Sequence, residues 1–261
     1  MAAVVLVAFS AGCGGNGGNE DLSPQERLRA VLPDYERAVA DQDCRAFARF
    51  AHSAVRPPGR GVDDPPDAAE CRNLGQAYTR LAGFRAQRTK VFGSAAIVEG
   101  QREGQLMVLV WVVDTDGRWK QVQATPPSTG PQIGIPVQAA TNDRFARSAQ
   151  AFTVAMRRGD CRGVFRLLNP ASPFLEAETE TAGPFCTRFR SSFRSPERLA
   201  GQLARAPRAS PIDLGGTSHF HFYRLETGGD REWTLILHTH PAALPRGGHA
   251  EHSVLDYYPT G

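Results

Sequence analysis

Six of the seven histidines lie in one stretch near the carboxyl terminus, which makes this stretch the first candidate for chemistry. They are His219, His221, His238, His240, His249 and His252. Neutral imidazole binds zinc and copper, and it can act as a general base near neutral pH. The cluster therefore suggests a metal site, a catalytic base or a pH-sensitive patch. The structural alternative is a set of inert imidazoles on the solvated face of a sheet.

Alternation of residue types predicts strands over 217–225 and 232–240, joined by a turn centred on Gly228-Gly229. If the aromatic and aliphatic residues pack inward, the histidines of both strands share the other face. This register sets His219 opposite His238, with His221 and His240 nearby. A last strand over 250–258 could supply a third metal ligand from His249, Glu251 or His252.

The same histidines would serve an enzyme only if one of them meets a carboxylate in a concave pocket. Asp256 and Glu251 are the carboxylates that the sequence places nearby. The first half offers less, because its one histidine, His52, is predicted to lie on the surface. Asp114 and Asp116 fall in a predicted turn, where aspartate commonly stabilises the turn itself.

Four of the five cysteines form two pairs of nearly equal spacing. Cys44 and Cys71 make the first pair, and Cys161 and Cys186 make the second. The spacing predicts two equivalent disulfides, as expected in an oxidising compartment. A zinc site is the alternative, but neither pair has the short Cys-x-x-Cys spacing of a structural zinc site.

The fifth cysteine, Cys13, follows an uncharged apolar run over 2–12 and precedes a glycine-rich tract. The run is too short to span a bilayer. With Ala11 and Gly12 before the cysteine, the segment resembles a bacterial lipoprotein signal. The resemblance implies a signal peptide over 1–12, lipidation of Cys13 and a flexible tether over 13–22. A buried strand with an incidental cysteine is the alternative.

The cysteines also reveal an internal repeat, since Asp43-Cys44-Arg45 recurs as Asp160-Cys161-Arg162 at an offset that also aligns an upstream aromatic residue and an upstream alanine. Each half begins with an apolar stripe at helical spacing, and Ser23 to Glu26 matches a capping box. Asp43 and Asp160 are N-cap residues for short second helices, predicted over 47–50 and 164–168. Third helices, predicted over 68–81 and 185–194, carry the second cysteine of each pair.

Strands follow the helices in both halves. In the first half they are predicted over 90–99, 105–113 and 118–122, with an Asp-Gly turn before the last. Residues 105–113 are apolar on both faces, which suits either an apolar ligand or a filled core. The segment 127–140 is rich in proline, glycine and glutamine and is predicted to link domains over 23–126 and 141–261.

Helices that end in an Ala-x-x-x-x-Asp pattern (Ala38–Asp43 and Ala155–Asp160) before antiparallel strands resemble the NTF2-like (SnoaL-like) superfamily. The first half adds the hairpin Asp116-Gly117-Arg118-Trp119-Lys120. The resemblance implies an α+β fold of two tandem NTF2-like, or cystatin-like, cone domains. Each would pack three N-terminal helices on a curved antiparallel sheet, with one disulfide per domain. The superfamily contains both enzymes and binding domains, so fold alone does not fix the function.

Composition is that of a folded chain, with 41% hydrophobic and 22% charged residues. The net charge of +3 is too small to predict a nucleic-acid partner. Of the 30 basic residues only Lys90 and Lys120 are lysine, and we attribute the scattered arginines to a GC-rich genome.

We therefore expect a non-catalytic protein, anchored by lipid to the membrane on the extracytoplasmic face of the cell envelope, that binds a small molecule or a protein. One alternative is a lipoprotein that binds zinc or copper through the histidine cluster. Another is a SnoaL-like enzyme with a histidine base in the second domain. No cofactor is expected apart from the metal of the first alternative.

Overall fold

The structure, a computed structural model, describes residues 22–53, 63–125, 133, 137–172, 174–177, 179–194, 210–227, 231–239 and 250–260. Several predictions therefore lie outside the described residues. These are the signal segment, lipidation at Cys13, most of the tether and of the linker, and the placement of His240 and His249.

The first half runs from three helices into a four-stranded sheet. Its helices are α1 (Pro24–Ala40), α2 (Cys44–Ala48) and α3 (Ala68–Leu81). Its strands are β1 (Arg85–Phe92), β2 (Ala95–Arg102), β3 (Gln105–Val113) and β4 (Trp119–Thr125). Each strand pairs antiparallel with the next one in the chain, which gives the order β1-β2-β3-β4.

The second half repeats this order of elements. Its helices are α4 (Ala139–Arg158), α5 (Cys161–Leu167) and α6 (Ala182–Arg194). Its strands are β5 (Pro211–Gly216), β6 (Phe220–Thr227), β7 (Arg231–Thr239) and β8 (His252–Thr260), again paired antiparallel in chain order. Helices and antiparallel strands occupy separate stretches of the chain, which confirms the α+β class.

Side-chain caps begin several helices where the sequence predicts them. Glu26 N donates to Ser23 Oγ (3.3 Å), and Ser23 N donates to Glu26 Oε2 (2.9 Å), which completes the predicted capping box. Asp43 and Asp160 accept backbone N–H groups at the start of α2 and α5. These carboxylates satisfy donors that have no partner within the helix, so each short helix begins directly after its aspartate.

The strands differ from the prediction in two places. Residues 90–99 belong to two strands, because the chain reverses at Gly93 and Ser94 between β1 and β2. Gly93 has a φ of 56°, a left-handed conformation that glycine adopts at little cost. The strand β5 was not predicted at all. It begins with a proline and ends with two glycines, residues that are depleted in strands.

The structure contains both disulfides that the cysteine spacing predicts. Cys44–Cys71 connects the start of α2 to α3, with the Cα atoms 5.5 Å apart. Cys161–Cys186 connects the start of α5 to α6, with the Cα atoms 5.2 Å apart. Each disulfide fixes the short second helix of its half to the third helix.

Replacing Cys161 and Cys186 together by alanine is expected to lower the free energy of unfolding by about 3 kcal/mol. The disulfide closes a chain separation of 25 residues, so its loss gives the unfolded chain more conformations. Denaturant titration of the native protein and the variant measures the change. The Cys44→Ala/Cys71→Ala variant is the matched control and should lose a similar amount. An unchanged midpoint in both variants would contradict a stabilising role for the disulfides.

The two sheets pack against each other through the faces that point away from their helices. Alternate residues of β2 and β3, among them Val98 and Trp111, share a core with α1. The residues between them share a second core with the sheet of the other half, which includes Phe92, Ile97, Val110, Phe222 and Ile236. Sheet-on-sheet packing therefore explains why 105–113 is apolar on both faces.

Side chains of the two sheets make close contacts across the interface between them. The rings of Phe92 in β1 and Phe222 in β6 lie 5.3 Å apart. Ser94 Oγ and Thr234 Oγ1 form a hydrogen bond of 2.8 Å.

Among the described helices, none has both the length and the apolar character needed to cross a membrane.

Candidate functional site

A cleft of about 1110 Å³ lies in the first half, between α1, α2, residues 63–66 and the turn that joins β3 to β4. Of the described side chains that line it, six are cationic and three are anionic. The cations are Arg27, Arg37, Arg45, Arg49, Arg118 and Lys120, and the anions are Asp34, Asp63 and Asp64. The described lining thus carries an excess of positive charge.

The geometry of α1 explains one wall of this cleft. Arg27, Val31 and Asp34 follow one another at helical spacing and face the cleft, whereas Leu28 and Leu32 are buried in the core. This wall continues to Arg37, and from Arg27 to Arg37 the helix rises roughly 15 Å. Trp119 Nε1 donates to Pro24 O (3.1 Å), which holds the start of β4 against the start of α1.

Some cations of the cleft form an ion pair with a carboxylate and others do not. Arg37 pairs with Asp34 at 2.9 Å, and Arg118 pairs with Asp63 at 3.2 Å. Arg27, Arg45 and Arg49 make no ion pair within the described part of the chain.

Lys120 is buried and contributes to the structure of the cleft wall. Its Nζ donates to Arg49 O (2.6 Å) at the end of α2 and lies 3.6 Å from Asp116 Oδ2. The ammonium group thus fixes α2 to β4, and its charge is partly compensated. The accessible positive charge of the cleft comes from the arginines.

His52 is buried, so the prediction of a surface histidine is wrong. Its Nε2 lies 3.1 Å from Pro259 O of β8, and its ring lies 4.8 Å from the ring of Tyr258. The sheet-on-sheet packing brings β8 over the loop after α2 and covers the imidazole. Burial lowers the pKa of His52, although the nearby carboxylate of Asp114 opposes this shift.

Asp114 is also buried, and it does more than stabilise its turn. It accepts hydrogen bonds from Ser53 N (2.8 Å) and Ser53 Oγ (2.7 Å), and it lies 3.5 Å from His52 Nε2. Burial raises the pKa of Asp114, but His52 and the hydrogen bonds from Ser53 outweigh this effect, so the pKa is lowered. These contacts hold the loop after α2 against the turn that borders the cleft.

The predicted register of the histidine hairpin is wrong by one residue. Phe220 lies opposite His238, and His221 lies opposite Leu237. Thr227 pairs with Arg231, so three residues, rather than the predicted two, separate the paired ends of the strands. A shift of one residue moves every side chain of a strand to the other face.

This shift separates the histidines that were predicted to share a face. His221 lies beside Tyr223 on the face that packs on α4, whereas His238 lies against Phe220 on the opposite face. His219 precedes β6, and its carbonyl accepts from Thr239 N (2.8 Å). His252 is on the helix side, where its ring contacts Phe145 at 4.8 Å.

His221 meets a carboxylate that sequence reasoning missed. Its Nε2 lies 2.7 Å from Asp213 Oδ1 in β5, and its ring stacks on Phe145 at 5.2 Å. Gly216 makes room for this ring, because a Cβ at that position would lie 2.8 Å from His221 Nδ1. His221 is 2% exposed whereas the Asp213 side chain is 44% exposed, so the pair joins β5 to β6 at the edge of the core. Sequence reasoning did not pair Asp213 with His221 because it did not predict β5, whose sequence lacks a clear alternation of apolar and polar residues.

Neither Glu251 nor Asp256, the two carboxylates that could partner a histidine base, lies within hydrogen-bond distance of a histidine among the described contacts. Glu251 Oε2 lies 3.9 Å from His252 Nδ1, which is beyond hydrogen-bond distance. Asp256 lies opposite Ile236, on the face of β8 that packs on the first sheet, where Tyr258 Oη donates to it. Burial raises the pKa of Asp256 to about 7.

For the part of the chain that the structure describes, no group of three or more His, Cys, Asp or Glu side chains has an arrangement that could hold a metal ion. That search does not reach His240 and His249, which lie outside the described residues.

Comparison of the chain with protein-family models finds no match, and comparison with curated proteins finds no match either.

Proposed function

We propose that this protein is a lipid-anchored binding protein on the extracytoplasmic face of a bacterial cell envelope, and that it holds its ligand in the cleft of the first half. The observation that carries the proposal is the cleft itself. Its volume of about 1110 Å³ is at the upper end of small-molecule sites, and its lining combines apolar side chains with cations.

The chemistry of the cleft favours binding over catalysis. The described lining residues include no histidine, cysteine, serine or threonine, which are the common nucleophiles and bases. The ammonium group of Lys120 is engaged by Arg49 O and Asp116. Asp34 and Asp63 are exposed, and each is paired with an arginine, so neither carboxylate is secluded from water or free of a partner.

We also propose that each half is an NTF2-like cone domain, with the boundaries 23–126 and 141–261 and a linker between them. Three helices followed by an antiparallel sheet in each half support this assignment. The internal repeat around Cys44 and Cys161 supports it independently. The sheet-on-sheet contact would then make the chain a covalent pair of similar domains.

The location rests on two features of the sequence and structure. Disulfides persist in oxidising compartments outside the cytoplasm, and this chain has two. The apolar run before Cys13 has the length of a signal segment, and the glycine-rich tract after it suits a tether.

Replacing Cys13 by serine in the full chain is expected to move the protein from the membrane fraction to the soluble fraction of the expressing cells. Serine has no thiol to acylate, so the variant loses the hydrophobic anchor. Cell fractionation measures the location, and intact mass measures the acyl groups. The matched control, Asn16→Ser, should stay in the membrane fraction. Equal sedimentation of the Cys13 variant and the native protein, with equal mass at the amino terminus, would overturn the anchor.

A further inference from the structure

We propose that the cleft of the first half binds a single-chain anionic amphiphile, a carboxylate or phosphate head group on an apolar body. This inference rests on the proposed binding function of the cleft and names the class of its ligand. Three properties of the cleft carry it: arginines without an ion-pair partner among the described residues, an apolar floor, and an extent of roughly 15 Å along α1.

The arginines define the head group. Arg27, Arg45 and Arg49 are exposed, line the cleft and have no ion-pair partner among the described residues. A guanidinium presents a planar pair of donors that matches the two oxygens of a carboxylate or phosphate. Arg37 and Arg118 already contact carboxylates, which leaves the other three as the cations available to an anion.

Two of these arginines lie on a backbone segment that is held at both ends: Arg45 is in α2, and Arg49 is the residue that caps its carboxyl end. Arg45 and Arg49 are one helical turn apart, so their side chains project in the same direction. The Cys44–Cys71 disulfide holds the start of α2, and the bond from Lys120 Nζ to Arg49 O holds its end. Because the backbone at both positions is already held, binding of an anion costs only the conformational entropy of the two side chains.

The floor of the cleft defines the rest of the ligand. Val31, Ala46 and Phe50 are half-buried, and Trp119 is buried beside them. Phe50 is held by edge contacts with the rings of Tyr35 at 5.5 Å and Trp111 at 6.5 Å. A ligand with an apolar body would cover this surface, whereas a small inorganic anion would leave it in contact with water.

The extent of the cleft along α1 favours an elongated molecule. The wall formed by α1 runs roughly 15 Å from Arg27 to Arg37. The volume of about 1110 Å³ far exceeds the space that acetate or inorganic phosphate would fill. An amphiphile that lies along α1 would use both the cations and the floor.

Isothermal titration of the full chain carrying Cys13→Ser tests the proposal, because no acyl anchor then competes for the cleft. The probes are dodecanoate and dodecyl phosphate below their micellar concentrations, with dodecanol and acetate as partial analogues. We expect saturable one-to-one binding of at least one anionic probe. Dodecanol, which lacks the charge, should bind at least tenfold more weakly, and acetate should show no saturable binding.

Two double variants locate the binding site. Arg45→Gln/Arg49→Gln should weaken binding of the anionic probe at least tenfold, while the bond to Arg49 O stays available because it uses the backbone. The matched control, Arg29→Gln/Arg72→Gln, removes the same charge from exposed positions that do not line the cleft and should change binding less than twofold. Thermal melting confirms that both variants are folded.

Three results would overturn the proposal. The first is no saturable binding of either anionic probe, and the second is equal weakening by the two double variants. The third is that the Cys13→Ser chain binds phosphatidylglycerol vesicles and that dodecanoate does not release it from them. This result would mean that the arginines contact a lipid surface. Release of the Cys13 variant from the membrane combined with no probe binding would retain the anchor and reject the ligand class.

Discussion

Replacing Asp256 by asparagine is expected to remove a loss of stability that the native protein undergoes as the pH rises to about 7, and to make the variant more stable than the native protein above pH 8. Asp256 is 1% exposed, and burial raises its pKa from an ordinary 3.8 to about 7. The folded protein therefore keeps the carboxyl protonated at pH values where the unfolded chain ionises it.

The sign of the effect follows from proton linkage. The folded state binds the extra proton between pH 3.8 and about 7, so this contribution to stability is full below pH 3.8 and is lost as the pH rises through 7. The total loss is on the order of 4 kcal/mol, since each unit of pKa shift corresponds to about 1.4 kcal/mol. Asparagine resembles the protonated acid in shape but does not ionise, so the variant should not show this loss.

Denaturant titrations from pH 5 to pH 9 measure the difference in stability between variant and native protein. Effects of His52, whose lowered pKa costs stability as the pH falls below 6.5, cancel in this comparison. The matched control, Asp41→Asn, removes a carboxylate from an exposed position and so measures the effect of losing one negative charge at the surface. A pH-independent difference for Asp256→Asn would show that the carboxyl does not titrate in this range.

Replacing Phe222 by alanine is expected to lower the free energy of unfolding by about 3–5 kcal/mol and to destabilise both halves of the chain. Phe222 is fully buried between the sheets and contacts Phe92 of the first half. The truncation removes apolar area and leaves a cavity whose walls belong to both halves. Hydrogen exchange should therefore show faster opening of β3 as well as of β7.

The Phe152→Ala variant separates this effect from a general loss of core packing. Phe152 is equally buried but lies in the core between α4 and the second sheet. It should destabilise the second half by a similar amount and the amides of β3 much less. If Phe222→Ala leaves the protection of β3 unchanged, the two halves do not stabilise each other through their sheets.

Features that depend on neighbouring residues were predicted from the sequence. Ser23, Asp43 and Asp160 begin helices because each carboxylate or hydroxyl reaches a backbone N–H within three residues. The paired cysteines predicted both disulfides because the repeat places them at equivalent positions of the two halves. The α+β class followed from helical and alternating periodicities that occupy separate stretches of the chain.

Features that depend on packing between distant parts of the chain were predicted poorly. His52 was predicted to be exposed because nothing near it in sequence covers it, and its hydrogen-bond partner lies 207 residues away. The arginines of the cleft look scattered in sequence, since they range from Arg27 to Arg118. Only the packing of α1 and α2 against the β3–β4 turn gathers them.

The histidine hairpin combines features that neighbouring residues determine with features that only tertiary packing determines. The sequence by itself determined two strands close to the observed β6 and β7, with residues that alternate between two faces. It also determined the caps, the cysteine pairing and the repeat, because these rest on local hydrogen bonds and periodicity. The tertiary structure decided the register, and it buried both faces of each sheet. Apolar residues were favourable on either side once a second sheet covered the outer face, so alternation alone could not say which face carries the histidines.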